Sequence, residues 1–216
     1  MVIFIDLDGP ILDVSEKYYR VYSDILTRHG FSVLPKVDYW EAKRHKTPDN
    51  IILEKTDASA LIDIFPEERN QIIEADQYLR YDVMQENAIT VLGILMKKAS
   101  LVLVTLRSSP DQLNKELINL DLIKYFHAVL TSAENIKPRW KIKYGLINNF
   151  LNSMKTTDST INIMIGDTET DVLAGKSLGY KTIAVLNGIR SYDLLIETQP
   201  SFAVNSINDI LSLDII

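Results

Sequence analysis

The chain opens with the stretch that decides its fold, Val2-Ile3-Phe4-Ile5-Asp6-Leu7-Asp8-Gly9-Pro10. Four apolar residues run directly into two aspartates that stand two positions apart. A short, continuous apolar run of this kind is typical of a strand buried on both faces, as in a parallel sheet. Ligand sites in open α/β sheets lie beyond the carboxyl ends of the strands. The two aspartates therefore stand where such a site would form.

The same strand pattern recurs along the rest of the chain. Runs rich in Val, Ile or Leu occupy Leu101–Val104, Ala128–Leu130, Ile161–Ile165 and Thr182–Leu186, with a weaker edge-strand candidate at Ala203-Val204. Apolar residues at helical spacing lie between these runs. This alternation predicts an α/β fold with a doubly wound, Rossmann-like parallel sheet.

The segment from residue 15 to residue 84 breaks this alternation. It has few strand-like runs and several helical stripes, and it is punctuated by Pro35, Pro48 and Pro66. We therefore expect a small helical domain inserted after the first strand. The α/β core would comprise residues 1–14 and 85–216.

Composition removes several classes of function. The chain has 216 residues, no cysteine, three histidines and a formal charge of −6. Thiol nucleophiles, disulfides and cysteine-ligated metals are excluded, and the net negative charge disfavours nucleic-acid binding. No window approaches the length of a membrane span, and no targeting segment is visible. We expect a cytoplasmic protein without a nucleic-acid or membrane partner; the sequence does not predict its oligomeric state.

A second apolar run also ends in acids, at Gly166-Asp167-Thr168-Glu169-Thr170-Asp171. If a helix begins near Glu169, Asp171 lies in its first turn and can point back toward the strand end. Burying several carboxylates together is costly unless a cation or hydrogen-bond donors compensate. A divalent metal ion would supply that compensation, although solvated acids and a helix cap would give the same pattern.

Two further segments carry polar groups at predicted strand ends. Thr105 follows the run at 101–104 and precedes Ser108-Ser109-Pro110, a turn that could hold a phosphoryl oxygen or simply cap a helix. A lysine-rich turn spans residues 136–143 and could reach the same sheet edge or remain a solvated helix start. Because the strand ends of a parallel sheet share one edge, acids, a threonine and a lysine would converge there. Such a constellation favours metal-assisted phosphoryl transfer.

In this order, the segments resemble the motifs of the haloacid dehalogenase superfamily of phosphohydrolases. Asp6-Leu7-Asp8-Gly9 is similar to the first motif, Thr105 to the second, and Gly166-Asp167 through Asp171 to the fourth. The stretch from Gly166 to Lys176 resembles the phosphoglycolate phosphatase-like branch. The helical insert resembles that family's C1-type cap, which is expected to close over the core.

This resemblance implies a role for each motif residue. Asp6 would be the nucleophile, and Asp8 would act as general acid and then general base. Mg²⁺ would be held by Asp6, the backbone carbonyl of Asp8 and Asp167, with Asp171 orienting that shell. Thr105 and a lysine would bind the phosphoryl oxygens. The substrate would be a small-molecule phosphate ester.

The lysine and the substrate-binding residues are less sharply indicated. Lys141 and Lys137 both match the third motif; Lys141 lies 26 residues before Asp167 and is favoured over Lys137, which lies 30 residues before it. Arg44 and Lys46, in a basic cluster of the insert, and Arg107, after Thr105, are candidates for binding the substrate. A solvated basic helix face is an alternative for the cluster.

Other functions remain compatible with the pattern. A phosphomutase would use the same nucleophile but return the phosphoryl group to the sugar. A non-catalytic binding protein could retain the fold. A dehalogenase dispenses with the metal and with an acid at Asp8, so acids at both Asp8 and Asp167 argue against it.

Overall fold

The computed structural model describes residues 1–154 and 162–215, which fall into two compact units. The first unit comprises Met1–Leu12 and Met84–Ile216, and the second comprises Asp13–Val83. The sequence placed the corresponding divisions at 14/15 and 84/85. Among the described residues no helix is long and apolar enough to cross a membrane.

The strands of the described residues alternate with helices through the first unit. In chain order the strands are β1 (Val2–Ile5), β2 (Leu12–Asp13), β3 (Val83–Met84), β4 (Ser100–Val104), β5 (Ala128–Leu130), β6 (Ile163–Gly166), β7 (Lys181–Val185) and β8 (Phe202–Val204). The helices are α1 (Ser15–Arg28), α2 (Lys36–Arg44), α3 (Asp49–Glu54), α4 (Phe65–Ile72), α5 (Asp76–Leu79), α6 (Ala88–Leu95), α7 (Pro110–Asn119), α8 (Trp140–Met154), α9 (Glu169–Ser177) and α10 (Tyr192–Ile196). Short 3₁₀ helices occupy Ser59–Leu61, Ile123–Tyr125 and Ile207–Ser212.

The sheet of the first unit is parallel and has six strands in the order β5-β4-β1-β6-β7-β8. This confirms the predicted Rossmann-like α/β fold. The chain builds outward from β1 through β4 to β5, and then resumes on the other side of β1 with β6. The strand order therefore reverses between β1 and β6, which is the position where such sheets bind ligands.

The register brings the polar strand ends together. Ile5 pairs with Leu103 on one side and with Ile165 on the other. The Asp6 N–H continues this ladder by donating to the Ile165 carbonyl oxygen at 2.9 Å. The residues that follow β1, β4 and β6 thus emerge at one edge of the sheet.

Aromatic packing fixes one face of this sheet. Phe4 on β1 is fully buried and stacks on Tyr180 with ring centroids 5.8 Å apart. Its other neighbour is Phe150 of α8, met edge-on at 6.2 Å. Because α8 packs against β1 in this way, the first turn of α8 lies near the carboxyl end of β1.

The second unit is helical, as the lack of strand-like runs predicts, and has its own core. Tyr22 of α1 and Tyr39 of α2 are buried and stack with ring centroids 4.3 Å apart. Phe65 of α4 meets Tyr22 edge-on. A buried pair joins Lys17 Nζ to Asp82 Oδ2 at 2.6 Å.

The strand bounds differ slightly from the sequence prediction. β7 is shifted by one residue toward the N terminus relative to Thr182–Leu186, and β6 begins at Ile163. Ile161, which the apolar run included, lies outside the described residues.

Candidate active site

A tight loop follows β1 and presents the first acidic pair. The Asp6 side chain turns back to accept the Leu7 N–H at 2.8 Å, and the loop closes with Leu12 N–H donating to the Leu7 carbonyl at 3.0 Å. Gly9 lies in this loop with φ of 97°, a conformation that glycine adopts without a steric cost. These hydrogen bonds position Asp6 at the sheet edge.

A single buried lysine joins two of the acids. Lys143 Nζ lies 2.8 Å from Asp6 Oδ2 and 2.5 Å from Asp171 Oδ1. The other oxygen of Asp171 accepts the Thr168 hydroxyl at 2.6 Å and the Thr168 N–H at 3.0 Å. Since α9 begins at Glu169, Asp171 stands in its first turn and points back to the strand end. Both of its oxygens are engaged in positioning Lys143 and capping α9.

Asp167, directly after β6, is fully buried and is only partly satisfied. Its Oδ2 accepts the Ile189 N–H, whereas its Oδ1 is buried and has no hydrogen-bond partner among the described residues. A buried, unpaired carboxylate oxygen is costly, so its presence points to a ligand that would complete the site.

The electrostatics of this cluster show a deficit of positive charge. Burial raises the pKa of Asp6 to about 7, and Lys143 offsets only part of that effect. Burial, with Asp6 and Asp171 nearby, raises the pKa of Asp167 well above its ordinary value. Burial alone would lower the pKa of Lys143, but the carboxylates of Asp171 and Asp6 outweigh it and raise that pKa. One ammonium therefore faces three carboxyl groups.

These residues fit a hard divalent cation. Asp6, Asp167 and Asp171 can each offer an oxygen such that the three atoms lie within 4.8 Å of one another. Carboxylate oxygens are the donors that Mg²⁺ prefers. Within the described part of the chain, Asp167 Oδ1 is an acceptor that no protein group uses.

Thr105 and Asp8 occupy the expected strand ends. Thr105 is 2% exposed, and its N–H donates to the Leu130 carbonyl at 3.0 Å, which extends the pairing of β4 with β5. The Asp8 carboxylate is bound by Arg107, with 2.6 Å between Asp8 Oδ1 and Arg107 Nη2. The contribution of the Asp8 backbone carbonyl to a metal site stays a prediction.

The prediction that Lys141 or Lys137 reaches this site was wrong. Both are exposed, and the Lys141 ammonium lies over the Trp140 ring at 5.9 Å. On α8 the buried face carries Ile147 and, one turn earlier, Lys143; Lys141 is two positions away and so projects from another side of the helix. The apolar stripe through Ile147, extended back by four residues, would have identified Lys143.

The three residues predicted to bind substrate are divided between the two units. Arg107 is buried in the first unit, where its guanidinium contacts the carboxylates of Asp8 and Glu116. Arg44 lies in the last turn of α2 and Lys46 follows that helix with φ of 57°, both in the second unit. Their assignment to the substrate stays a prediction.

Sequence reasoning gave no role to Gly188, yet its lack of a side chain makes room for Asp167. A Cβ at Gly188 would lie 2.1 Å from Asp167 Oδ2, and one at Gly9 would lie 2.1 Å from Asp167 Cγ. Two glycines from separate loops therefore define the space that this carboxylate occupies. Asn187-Gly188 after an apolar strand was the available signal.

We expect Gly188→Ala to lower the free energy of unfolding by about 1–3 kcal/mol, because the methyl group overlaps a buried carboxylate. Gly145→Ala is the matched control: apart from its chain neighbours and the backbone of its own helix, no described atom lies within 4 Å of a Cβ there, and alanine stabilises a helix interior by roughly 0.5–1 kcal/mol. Urea denaturation of both variants measures the difference. Equal stabilities would contradict the close approach at Gly188.

The parallel sheet, with a carboxylate-rich site where its strand order reverses, places the protein among Rossmann-like α/β proteins with a polar ligand site at the sheet edge. The model of the haloacid dehalogenase-like hydrolase family matches residues 2–185, so the chain belongs to that family of hydrolases. No protein of the curated set matches the chain.

Solved structures show the same fold at low sequence identity. A provisionally assigned phosphatase from Clostridium difficile is 21% identical with a TM-score of 0.78, and covers 98% of this chain and 96% of its own. A predicted phosphoglycolate phosphatase from Haemophilus somnus is 17% identical with a TM-score of 0.75 and the same coverages. A provisionally assigned β-phosphoglucomutase from Thermotoga maritima is 18% identical with a TM-score of 0.66, again covering 98% and 96%.

Proposed function

We propose that this protein is a Mg²⁺-dependent phosphatase that hydrolyses small-molecule phosphate monoesters through an aspartyl-phosphate on Asp6. The observation that carries the proposal is the buried cluster of Asp6, Asp167 and Asp171 around Lys143, at the reversal point of a parallel sheet. Membership of a hydrolase family, and a fold shared with proteins named as phosphatases, support the same reaction class.

In the first half-reaction an Asp6 carboxylate oxygen attacks phosphorus and the bond from phosphorus to the leaving oxygen breaks. Asp8, protonated at a lone pair that Arg107 does not occupy, would give its proton to that oxygen, so that the product leaves as a neutral alcohol. Asp8 is suited to this role because it lies two residues beyond Asp6 and its side chain retains 16% exposure. Asp6 is then esterified to the phosphoryl group.

In the second half-reaction water attacks the phosphorus atom of the aspartyl-phosphate. Asp8 takes a proton from the water, and the bond from phosphorus to Asp6 breaks. Inorganic phosphate then leaves, and the Asp6 carboxylate is restored. Lys143 and Thr105 would hold phosphoryl oxygens during both steps.

Asp6 and Asp167, with the Asp8 backbone carbonyl, would hold Mg²⁺. When bound, the ion would favour the ionised form of Asp6 and offset the charge on the phosphoryl oxygens. Asp171 would act through Lys143 and Thr168, since those groups already engage both of its oxygens.

The direct test is phosphate release from a panel of about a hundred metabolite monoesters and 4-nitrophenyl phosphate, with Mg²⁺ or with EDTA. We expect metal-dependent hydrolysis of at least some of these esters. Absence of release from the whole panel would overturn the proposal and favour a non-catalytic binding protein.

A phosphomutase is the second candidate, favoured by the fold shared with the provisionally assigned β-phosphoglucomutase. A mutase would use the same Asp6 and Asp8 but would return the phosphoryl group to the sugar. Isomerisation of a sugar phosphate without net release of inorganic phosphate would identify it.

Mg²⁺ is expected to stabilise the fold more at pH 8 than at pH 5.5. The pKa of Asp6 rises from 3.8 to about 7 on burial, so the native state keeps a proton that the unfolded chain loses between those values. The metal-free free energy of unfolding therefore falls as pH rises through that window, and at low pH the cation must compete with the proton.

Melting temperatures with Mg²⁺ and with EDTA at both pH values measure this effect. Asp167→Asn should reduce the Mg²⁺-dependent shift strongly, whereas Asp111→Asn, an exposed acid of α7, should not. A shift of equal size at the two pH values, or one retained in Asp167→Asn, would contradict the assignment.

A further inference from the structure

Arg107 lies between two carboxylates at the edge of the sheet. Its Nη2 is 2.6 Å from Asp8 Oδ1 and its Nε is 3.0 Å from Asp8 Oδ2, which together form a bidentate fork. On the opposite side its Nη1 donates to Glu116 Oε2 at 3.0 Å. One guanidinium thus connects the acid that follows β1 to a helix that follows β4.

The contact of Arg107 with Asp8 and Glu116 is largely buried and is supported by further hydrogen bonds. The side chains of Arg107 and Glu116 are each 5% exposed, while Asp8 is 16% exposed. The backbone of Arg107 is held as well, because its N–H donates to Thr105 Oγ1 at 3.4 Å and its carbonyl accepts the Thr131 hydroxyl. Glu116 is a charged residue on the otherwise apolar buried face of α7, between Leu113 and Leu117.

The contacts of Arg107 affect the orientation of the Asp8 carboxyl group. A carboxyl group that transfers a proton to a leaving oxygen must be oriented closely, since misplacement by about 1 Å costs on the order of 10²-fold in rate. The bidentate fork fixes both the position and the plane of the Asp8 carboxylate. Glu116 in turn fixes the guanidinium and balances its charge, so two buried side chains together specify the orientation of Asp8.

We propose that Arg107, held by Glu116, is a positioning residue that aims the Asp8 carboxyl group at the leaving oxygen of the substrate. The proposal rests on the proposed phosphatase function and refines it. It also replaces the expectation that Arg107 binds the substrate, because its Nε, Nη1 and Nη2 already contact carboxylates. Buried ion pairs are weak evidence for stability alone, since apolar replacements are often as stable.

Leaving-group dependence tests this role. A misplaced general acid lowers the rate of hydrolysis more for esters with basic leaving groups than for esters whose leaving group departs without a proton. We expect Arg107→Lys, which keeps the charge but loses the fork, to lower kcat/KM for phenyl phosphate about 10²-fold and for 4-nitrophenyl phosphate less than about 5-fold. Glu116→Gln should show the same asymmetry to a smaller degree, and Arg139→Lys, an exposed control, should show none.

A double-mutant cycle then asks whether Arg107 acts through Asp8. In an Asp8→Asn background, Arg107→Lys should change kcat/KM for phenyl phosphate by less than about 2-fold, because the group it aims is gone. An equal loss for both esters, or a loss that adds to that of Asp8→Asn, would overturn the proposal. If Arg107→Lys does not fold, the asymmetry of Glu116→Gln decides the question by itself.

Failure of the phosphatase function itself would look different. The unmodified protein with Mg²⁺ would then hydrolyse neither ester, whereas failure of the positioning role leaves that hydrolysis intact and removes only the asymmetry among the variants.

Discussion

Asp6→Asn is expected to lower phosphatase activity by at least about 10³-fold while leaving the fold intact. An amide of the same size lacks the ionisable oxygen that would attack phosphorus, so no aspartyl-phosphate forms. The fold should tolerate it because burial raises the pKa of Asp6 to about 7, which means that this site already disfavours the charged form. Metal-free stability should therefore change little.

Phosphate release and the melting temperature in EDTA measure the two halves of this expectation. Asp111→Asn is the matched control, since it makes the same chemical change on the exposed face of α7. Near-normal activity in Asp6→Asn would remove Asp6 as the nucleophile. Unfolding of the variant would instead assign Asp6 a structural role.

Lys143→Met is expected to lower both activity and stability. Lys143 is 1% exposed, and its ammonium forms ion pairs with both Asp6 and Asp171. Removing one partner of a buried ion pair typically costs about 3–5 kcal/mol, because the remaining charge is left uncompensated. Methionine keeps the length and removes the charge, so the loss reports electrostatics more than packing.

Lys141→Met provides the comparison within the same helix turn. The exposed Lys141 should change the free energy of unfolding by less than about 0.5 kcal/mol and should leave phosphate release unchanged. Urea denaturation in EDTA and assays with Mg²⁺ measure the pair. Similar effects at the two positions would contradict the assignment of Lys143 to the site.

The lysine shows where motif spacing misleads and periodicity does not. Distance along the chain to Asp167 favoured Lys141 over Lys137, but that distance does not specify which side of α8 a lysine occupies. Which residue faces the strand end is decided by the helical repeat, and Ile147 lies four positions after Lys143 on the buried face. The fold class and the acidic strand ends depend on local patterns and were accessible from the sequence.

Other features depend on contacts that local patterns do not encode. Asp8 and Arg107 are 99 residues apart, and only the side-by-side placement of β1 and β4 brings them together. Gly9 and Gly188 both approach Asp167 because β6 lies between β1 and β7 in the sheet. The buried Glu116 was visible as a charge in an apolar stripe, but its partner could be found only from the three-dimensional structure.

The shared ammonium of Lys143 has a consequence for refolding experiments. It links the segment after the first strand to a helix and to a turn that come late in the chain, so the linkage exists only when the central strands have all docked. Trp140 lies one helical turn before Lys143 and is a natural fluorophore. In a Trp40→Phe variant, which removes the other tryptophan of the chain, the emission of Trp140 during refolding from denaturant would report whether this junction forms together with the sheet or after it.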